Sequence, residues 1–523
     1  MCSNRPKNRQ CSPDTIVILD FGSQYAHLIA RRVREQNVYS EIIPCSVTAQ
    51  EIKEMMGRLE VRGLILSGGP MSVYRHNAPQ FDIKILSLPI PILGICYGHQ
   101  LIAHMVGGKV IQGERGEYGV TLVTVDNPNN LLRGLENVEK VWMSHTDIVY
   151  KLPEDYVILA HSDSTPVAAF RHRTKHIYGL QWHPEVVHTN KGVTVLRNFI
   201  FDICGCEPNW VVEDLLEKMI DDVQRTVGEG KAVVALSGGV DSSVAAAIAS
   251  RAIGRRLTAV FIDHGFMREG EPEDVKAIFE KFNMNFISLN EKERFLMRLR
   301  GITDPEEKRR VIGEEFIKSF ERIAQQIGAE YLVQGTIYPD RIESGYKKHS
   351  EKIKTHHNVA GLPSRSLFKA IIEPLRDLYK DEVRQIAERI GLPREVYDRQ
   401  PFPGPGLAVR IMGEVTSEKL NILRKADRIV DEEFKRWGLA GLWQHFVVLT
   451  DTRSTGVKGD ARIYGYTLAI RAVESTDGMT ANFAKLPYDL LEKTSLRLTN
   501  EIPQVCRVVY DITHKPPGTI EWE

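Results

Sequence analysis

Two glycine-rich turns limit the folds open to this chain more than any other feature, because each lies between an apolar strand and a helix. The first turn reads GICYG at 94–98, and the second reads SGGVDSS at 237–243. Around both turns, short apolar runs alternate with segments of helical period, which predicts parallel sheets covered by helices. We therefore expect an α/β protein with two parallel-sheet domains and a smaller α+β domain after them.

The chain of 523 residues is long enough for three or four domains of roughly 150 residues each. We predict a disordered polar tail at 1–14, then α/β domains at 15–207 and 208–400. A smaller α+β domain follows at 401–523. It opens with PFPGPG, whose three prolines exclude a regular helix or strand at that point.

Composition excludes several classes of protein. Lys plus Arg equals Asp plus Glu at 68 each, so no net charge favours a nucleic-acid or membrane partner. Seven cysteines at irregular spacing fit neither a disulfide framework nor a zinc site, which favours a reducing compartment. No apolar run reaches the ~18 residues of a membrane span, and the polar start of the chain is not a secretory signal. We expect a cytoplasmic protein.

The first turn has the form of a nucleophile elbow, with Cys96 between two glycines and directly before a helix. The helix N-terminus favours a thiolate, which attacks carbonyl carbon. A base is also needed, and His183 is the best candidate, with Glu185 two residues later to orient its imidazole. Backbone N–H groups of Gly69, at the end of another strand, and of Tyr97 are predicted to stabilise an oxyanion.

The second turn is predicted to bind phosphate. Backbone N–H groups on a glycine-rich turn, backed by a helix N-terminus, form an anion site, and the serine hydroxyls add donors. Asp241 could hold Mg²⁺ against phosphate oxygens. The P-loop pattern G-x-x-x-x-G-K-[ST] is absent, which argues against transfer of a γ-phosphoryl group. The predicted ATP-binding residues are Ser237, Gly238, Gly239, Val240, Asp241, Ser242 and Ser243.

Both turns resemble known families. With LSGGP upstream and QWHPE downstream, residues 15–206 resemble the class I glutamine amidotransferases, which implies hydrolysis of glutamine through a glutamyl thioester on Cys96. SGGVDS resembles the loop of the N-type ATP pyrophosphatases, which cleave ATP between the α- and β-phosphates. This resemblance implies that the polar segment at 338–366 is a lid that closes on the nucleotide. The residues implied for the lid and for adenylation are Asp340, Glu343, Lys354, Arg376 and Lys380.

The last domain indicates the acceptor of the ammonia. PFPGPGLAVR, RSTGVKGDAR and KPPGTIEWE are similar to the GMP synthase family, and the resemblance extends over residues 15–523. It implies a homodimer that adenylates xanthosine monophosphate (XMP) with Mg-ATP and then aminates it to GMP, releasing AMP. The XMP-binding residues that it implies are Arg309, Gln444, Lys515 and Glu521, with Arg410 as a weaker candidate.

Two other functions compete with this one. A glutamine-dependent NAD synthetase also joins a glutaminase to a pyrophosphatase, but its glutaminase is of the nitrilase type, which GICYG disfavours. A nucleotide-sensing protein could bind ligands at both sites without turnover. Intact Cys96, His183, Glu185 and Asp241 argue against it, since a site that performs no chemistry does not need all four.

Overall fold

The structure is a computed structural model that describes residues 12–23, 25–128, 130–346, 367–439, 441–475 and 480–523. It consists of two compact units, Met1–Leu215 and Leu216–Glu523. Helix α5 (Val212–Val227) carries the chain from the first unit into the second. Most of the tail predicted at 1–14, and Lys354 of the predicted lid, lie outside the described residues.

Unit 1 is built on a nine-stranded sheet in the order β2-β1-β3-β4-β9-β8-β7-β5-β6. Strands β2, β1, β3, β4 and β9 are parallel, and the remaining strands pair in antiparallel fashion. The strands are β1 (Asp14–Asp20), β2 (Tyr39–Pro44), β3 (Glu60–Leu66), β4 (Ile92–Ile95), β5 (Lys109–Val125), β6 (Val138–Lys151), β7 (Tyr156–His161), β8 (Ala169–His172) and β9 (Ile177–Leu180). The α-helices are α1 (Ala26–Arg34), α2 (Ala49–Met56), α3 (Tyr97–Met105) and α4 (Gly192–Arg197).

The first strand begins at Asp14, the last residue of the predicted tail. Asp14 is buried, and its carboxylate accepts hydrogen bonds from Arg62 Nε at 3.0 Å and from the Glu207 N–H at 2.7 Å. Its own N–H donates to the Asn209 side chain at 2.9 Å. These bonds satisfy polar groups that would otherwise be buried without partners, so the first strand begins at a charged residue.

Unit 2 contains a second parallel sheet, in the order β12-β11-β10-β13-β14, and a separate four-stranded sheet around β16. The strands are β10 (Ala232–Leu236), β11 (Leu257–Asp263), β12 (Asn285–Asn290), β13 (Tyr331–Val333), β14 (Ala370–Ile372), β15 (Gln444–Lys458), β16 (Ala461–Glu474), β17 (Asn482–Phe483) and β18 (Val505–Tyr510). The α-helices after α5 are α6 (Val240–Ile253), α7 (Glu271–Phe279), α8 (Lys292–Arg298), α9 (Pro305–Gln326), α10 (Tyr338–Tyr346), α11 (Lys380–Arg389), α12 (Arg394–Tyr397), α13 (Ser417–Arg436) and α14 (Tyr488–Glu501). The predicted fold class is confirmed.

One hydrophobic core joins the two sheets of unit 2. It includes Val233 and Val260 from the parallel sheet and Leu468 and Ile470 from β16. Leu407, directly after the proline-rich turn, belongs to the same core. Residues on both sides of position 401 therefore pack into one unit.

The segment at 338–366 begins with helix α10 and not with an irregular loop. The Asp340 side chain accepts the Ile337 N–H at 3.2 Å at the start of this helix. Tyr338 is fully buried, with its ring centroid 5.2 Å from that of Tyr379. The cap and the burial of one aromatic ring stabilise this helix, although the polar sequence shows no clear helical period.

No helix among the described residues is both long enough and apolar enough to cross a lipid bilayer.

Gly406 and Gly404 in the PFPGPG turn offer a matched test of packing in unit 2. Gly406 has a φ of +63°, and a Cβ there would lie 2.2 Å from the Phe266 carbonyl oxygen. Gly404 has no atom within 4 Å of an added Cβ. We expect Gly406→Ala to lower the free energy of unfolding by about 2–5 kcal/mol, from backbone strain and overpacking. Urea unfolding followed by fluorescence measures this effect. Gly404→Ala should cost less than about 0.5 kcal/mol, and equal effects of the two would contradict the prediction.

Candidate active sites

Cys96 lies on a strained turn between β4 and α3. Its backbone has φ 54° and ψ −104°, and its N–H donates to the Leu180 carbonyl at 2.7 Å. A Cβ at Gly94 would lie 2.5 Å from the Gly98 carbonyl oxygen, and one at Gly98 would lie 2.4 Å from that of Leu66. Both flanking positions therefore require glycine. The turn holds the thiol at the N-terminus of α3, as the sequence predicts.

His183 and Glu185 follow β9, the neighbour of β4. His183 Nδ1 lies 2.6 Å from Glu185 Oε1, and the Cys96 side chain hydrogen-bonds to the same imidazole. Burial alone lowers the pKa of His183. The charges of Glu185 and Cys96 outweigh burial and raise that pKa well above the ordinary value of 6.5. The structure thus brings the three predicted residues together in a buried arrangement.

Gly69 and Tyr97, the two residues predicted to stabilise an oxyanion, lie close together. A Cβ at Gly69 would lie 3.0 Å from Tyr97 Cγ, so the end of β3 closely approaches the start of α3. The N–H of Tyr97 belongs to the first residue of α3, where no earlier turn of helix provides an acceptor. The Tyr97 hydroxyl donates to the Pro79 carbonyl at 2.6 Å, which fixes the orientation of the ring.

Gln100 was not predicted, although it lies one helical turn after Cys96. Its Nε2 donates to the Asp147 carbonyl at 2.6 Å and to Gln181 Oε1 at 3.1 Å. Gln100 therefore ties α3 to β6 and to the residue that follows β9. The i, i+4 spacing from Cys96 was the signal available in the sequence.

A buried polar cluster lies beside Ser144, whose carbonyl oxygen is 3.8 Å from Cys96 Sγ. His145 Nε2 lies 3.2 Å from Glu117 Oε2, and Nδ1 lies 3.0 Å from the Asp147 carbonyl oxygen. Burial raises the pKa of Glu117, but hydrogen bonds from His145, Thr165 and Ser162 lower it to about 2. The cluster fixes the strand next to the thiol, and the sequence carried no pattern for it.

The second predicted turn forms a tight loop between β10 and α6. Gly238 has a φ of +77°, and the Gly239 N–H donates to Ser237 Oγ at 3.3 Å. Ser243 Oγ donates to the Gly239 carbonyl at 2.7 Å. No side chain caps α6 at Gly239, so its first N–H groups remain open to an anion.

Asp241 and Lys380 meet beside this loop. Lys380 Nζ donates to Asp241 Oδ2 at 3.1 Å, while Asp241 Oδ1 is buried and has no hydrogen-bond partner among the described residues. A buried carboxylate oxygen without a donor fits a cation, since Mg²⁺ takes one or two carboxylates together with substrate phosphates. Across the parts of the chain that the structure describes, no group of three or more His, Cys, Asp or Glu side chains gathers as a metal site.

The remaining predicted lid residues are spread more widely. Arg376 is half exposed, and its Nε lies 3.9 Å from Asp377 Oδ1. Asp340 caps α10, and the side chain of Glu343 lies outside the described residues.

His264, directly after β11, is buried and accepts the Phe266 N–H at 3.1 Å. Burial lowers the pKa of His264 to about 4.

Two of the predicted XMP residues, Gln444 and Glu521, are in contact. Gln444 Nε2 donates to Glu521 Oε1 at 2.8 Å. Arg410 is fully buried and donates to both oxygens of the same carboxylate, at 2.8 and 3.0 Å. The bidentate contact orients Glu521. Arg410 therefore reaches this site through Glu521.

Arg309 lies beside Glu523, two residues after Glu521. It is bound through its guanidinium to the Glu523 carbonyl oxygen. The neighbouring Lys308 is fully buried, with Nζ paired with the Glu523 side chain and 2.7 Å from the Ile411 carbonyl oxygen. Lys515 forms two backbone hydrogen bonds with Ala481, at 2.8 and 3.1 Å. Arg309 and Gln444 lie far from Lys515 and Glu521 in the sequence, yet both contact residues 521–523.

Glu185→Gln tests the electrostatics of the first site. Removing the carboxylate charge leaves burial as the dominant influence, so the pKa of His183 should fall. Histidine ¹⁵N chemical shifts recorded against pH measure this change. Glu117→Gln is the matched control, because Glu117 pairs with His145, and it should leave the pKa of His183 unchanged. An unaltered pKa in the Glu185 variant would contradict the assigned cause.

Three regions of the chain match known families. Residues 17–203 match the family described as glutamine amidotransferase class-I, and residues 211–338 match NAD synthase. Residues 432–522 match the GMP synthase C terminal domain. In chain order, the three matched regions contain the GICYG turn, the SGGVDSS turn and the four-stranded sheet.

Full-length relatives agree with this order. A protein of Caldicellulosiruptor saccharolyticus named GMP synthase (glutamine-hydrolyzing) is 52% identical, over 98% of this chain and 99% of its own length. Proteins of the same name from Symbiobacterium thermophilum and Thermosynechococcus vestitus are 52% and 53% identical. They cover 98% and 97% of this chain and 99% and 96% of their own lengths. The chain therefore belongs to the family of glutamine-hydrolysing GMP synthases.

Proposed function

We propose that this chain makes GMP by hydrolysing glutamine in unit 1 and using the ammonia to aminate adenylated XMP in unit 2. The observation that carries the proposal is the contact of Cys96, His183 and Glu185 at the elbow, in a chain that also carries the Asp241–Lys380 pair beside a phosphate-type loop. The first site is suited to releasing ammonia, which is a nucleophile. The second is suited to activating the C2 oxygen of XMP, which is otherwise a poor leaving group.

The proposed first reaction begins with attack of the Cys96 sulfur on the amide carbon of glutamine. The N–H groups of Gly69 and Tyr97 stabilise the oxyanion. The protonated His183, favoured by its raised pKa, gives a proton to the departing amine, so ammonia leaves and a glutamyl thioester remains. His183 then takes a proton from water, which hydrolyses the thioester to glutamate. Glu185 keeps the imidazole oriented throughout.

In the proposed second reaction, the C2 oxygen of XMP attacks the α-phosphate of ATP and pyrophosphate leaves. Residues 237–243 bind the β- and γ-phosphates, and Lys380, together with Arg376, offsets the charge that develops. Mg²⁺ held by Asp241 would neutralise phosphate charge. Ammonia then adds at C2, AMP leaves, and GMP forms. Asp340, Glu343 and Lys354 are proposed to close over the nucleotide.

We assign recognition of XMP to Arg309, Gln444, Lys515 and Glu521. Cationic side chains suit the 5′-phosphate, while amide and carboxylate groups can bind ribose hydroxyls or a purine edge. The contact between Gln444 and Glu521, and the bidentate support of Glu521 by Arg410, favour a preformed polar site.

The proposal also covers the domain bounds, the oligomeric state and the cellular location. Residues 15–207 are assigned to the glutaminase, 208–400 to the pyrophosphatase and 401–523 to a dimerisation and XMP-binding domain. A homodimer is supported by exposed Val457 and Tyr464 on the β15–β16 hairpin. A cytoplasmic location is supported by the five described cysteines, which are all free.

Cys96→Ala tests the division of labour. Without the thiol no thioester forms, so GMP synthesis from glutamine, XMP and Mg-ATP should fall roughly a thousandfold or more. Synthesis with ammonium in place of glutamine should continue at the wild-type rate. A coupled assay for AMP and GMP measures both. Cys45→Ala, in the same unit, is the control and should change neither rate.

Each contrary result of the Cys96 experiment has a definite meaning. Glutamine hydrolysis at the wild-type rate in Cys96→Ala would favour a nucleotide sensor whose cysteine performs no chemistry. If the wild-type protein forms neither GMP nor AMP from XMP with ammonium, the acceptor is wrong. NAD formation from its acid precursor would then be the next reaction to measure.

Asp241→Asn tests the proposed metal site. The variant keeps the shape of the side chain but loses the charge that would hold Mg²⁺, so the Mg²⁺ concentration for half-maximal GMP formation should rise by about tenfold or more. The change should be the same with glutamine and with ammonium. Asp398→Asn, which alters an exposed pair with Arg394, is the control. An unchanged Mg²⁺ dependence would remove Asp241 from the proposal.

A further inference from the structure

The residues 511–523, which we call the XMP segment, carry Lys515 and Glu521 but form neither a helix nor a strand. Their backbone pairing is sparse. Lys515 bridges to Ala481, and the Gly518 N–H donates to the His514 carbonyl at 3.0 Å. An irregular segment of this kind needs partners for its remaining carbonyl groups, or its conformation is not defined.

Arg471 of β16 supplies those partners. Its side chain is fully buried, Nη1 donates to the Thr513 carbonyl at 2.6 Å, and Nη2 donates to the Thr519 carbonyl at 2.9 Å. Nε lies 3.3 Å from the Ile520 carbonyl oxygen. One guanidinium therefore binds the XMP segment both before Lys515 and directly before Glu521. Its planar fork of donors suits several acceptors at fixed angles.

Asp511 completes the arrangement. Its Oδ2 lies 3.1 Å from Arg471 Nη1 and accepts the Trp522 Nε1–H at 2.9 Å. Its Oδ1 accepts the Thr513 N–H at 2.9 Å. Arg471, Asp511 and Glu521 all line a surface cleft of about 510 Å³. The Arg471–Asp511 pair thus joins the two ends of the XMP segment at the wall of this cleft.

We propose that Arg471 is a positioning residue for XMP, which acts by fixing the XMP segment so that Lys515 and Glu521 face the nucleotide. This inference rests on the proposed role of those two residues. Arg471 itself is buried beneath the segment and binds its backbone. Loss of the guanidinium fork removes the restraint on the carbonyl groups before Lys515 and directly before Glu521, and it leaves both binding side chains in place.

The central experiment compares Arg471→Lys with the wild-type chain. Lysine keeps the charge but cannot bind three carbonyl groups in one plane. The loss of two charge-assisted hydrogen bonds should weaken XMP binding by about tenfold or more. XMP titration by calorimetry and the KM for XMP with ammonium as nitrogen source measure the effect. The KM for ATP, and glutamine hydrolysis in unit 1, should change less than about twofold.

Two further variants make the comparison specific. Arg453→Lys alters another arginine of the same sheet, one that contacts Tyr466 and not the XMP segment, and should leave XMP binding unchanged. Asp511→Asn keeps the Arg471 side chain but removes the negative charge that pairs with it. It should weaken XMP binding by about threefold. It remains informative if the Arg471 variant folds poorly.

The outcomes separate this inference from the function on which it rests. Wild-type XMP binding in both Arg471→Lys and Asp511→Asn overturns the positioning role, as does an equal loss of affinity for XMP and ATP. Lys515→Met is measured in parallel. If it abolishes XMP binding while the Arg471 variant binds normally, only the positioning role fails. If neither affects XMP, the proposed XMP site fails as well.

Discussion

Parallel pairing of neighbouring strands is the constraint on which both sites depend. In unit 1 the strands β1, β3, β4 and β9 lie side by side and point the same way, so the chain leaves each of them at one edge of the sheet. Gly69, Cys96 and His183 all follow such strand ends. In unit 2, β11, β10 and β13 bring the phosphate-type loop to the equivalent edge. Sites in open α/β sheets form at these carboxyl ends.

The same constraint explains why strained backbone is concentrated at the elbow. A residue with the φ of Cys96 costs roughly 1–3 kcal/mol and persists only where the surroundings determine it. Here α3 packs so close to β3 and β4 that Gly94 and Gly98 leave no room for a side chain. The packing of a helix on parallel strands therefore holds a thiol in a conformation that it would not adopt in a free loop.

Unit 2 uses buried cations in a comparable way. Lys308, Arg410 and Arg471 are fully buried, and each binds a carboxylate or carbonyl group of residues 511–523. Removing one partner from a buried ion pair costs roughly 3–5 kcal/mol, because the other charge stays without compensation. Buried cations can thus hold a segment that forms neither a helix nor a strand.

The sequence by itself determined the local chemistry. GICYG and SGGVDSS stand between apolar strands and helices, and this pattern was sufficient to predict the two parallel sheets, the nucleophile and the anion loop. Turn geometry and residue chemistry are local, so a few adjacent residues carry them. The resemblance of the last domain was sufficient to indicate XMP, because its motifs are long and specific.

For several pairs of distant groups, only the tertiary structure decided that they act together. His145 with Glu117, Asp241 with Lys380, and Arg471 with Thr513 and Thr519 are separated by 28 to 139 positions, and no periodicity links them. Helix α10 and the common core of unit 2 also depend on burial by remote side chains. Burial and long-range hydrogen bonding are properties of the packed chain, so the partners of these side chains could not be predicted from the sequence.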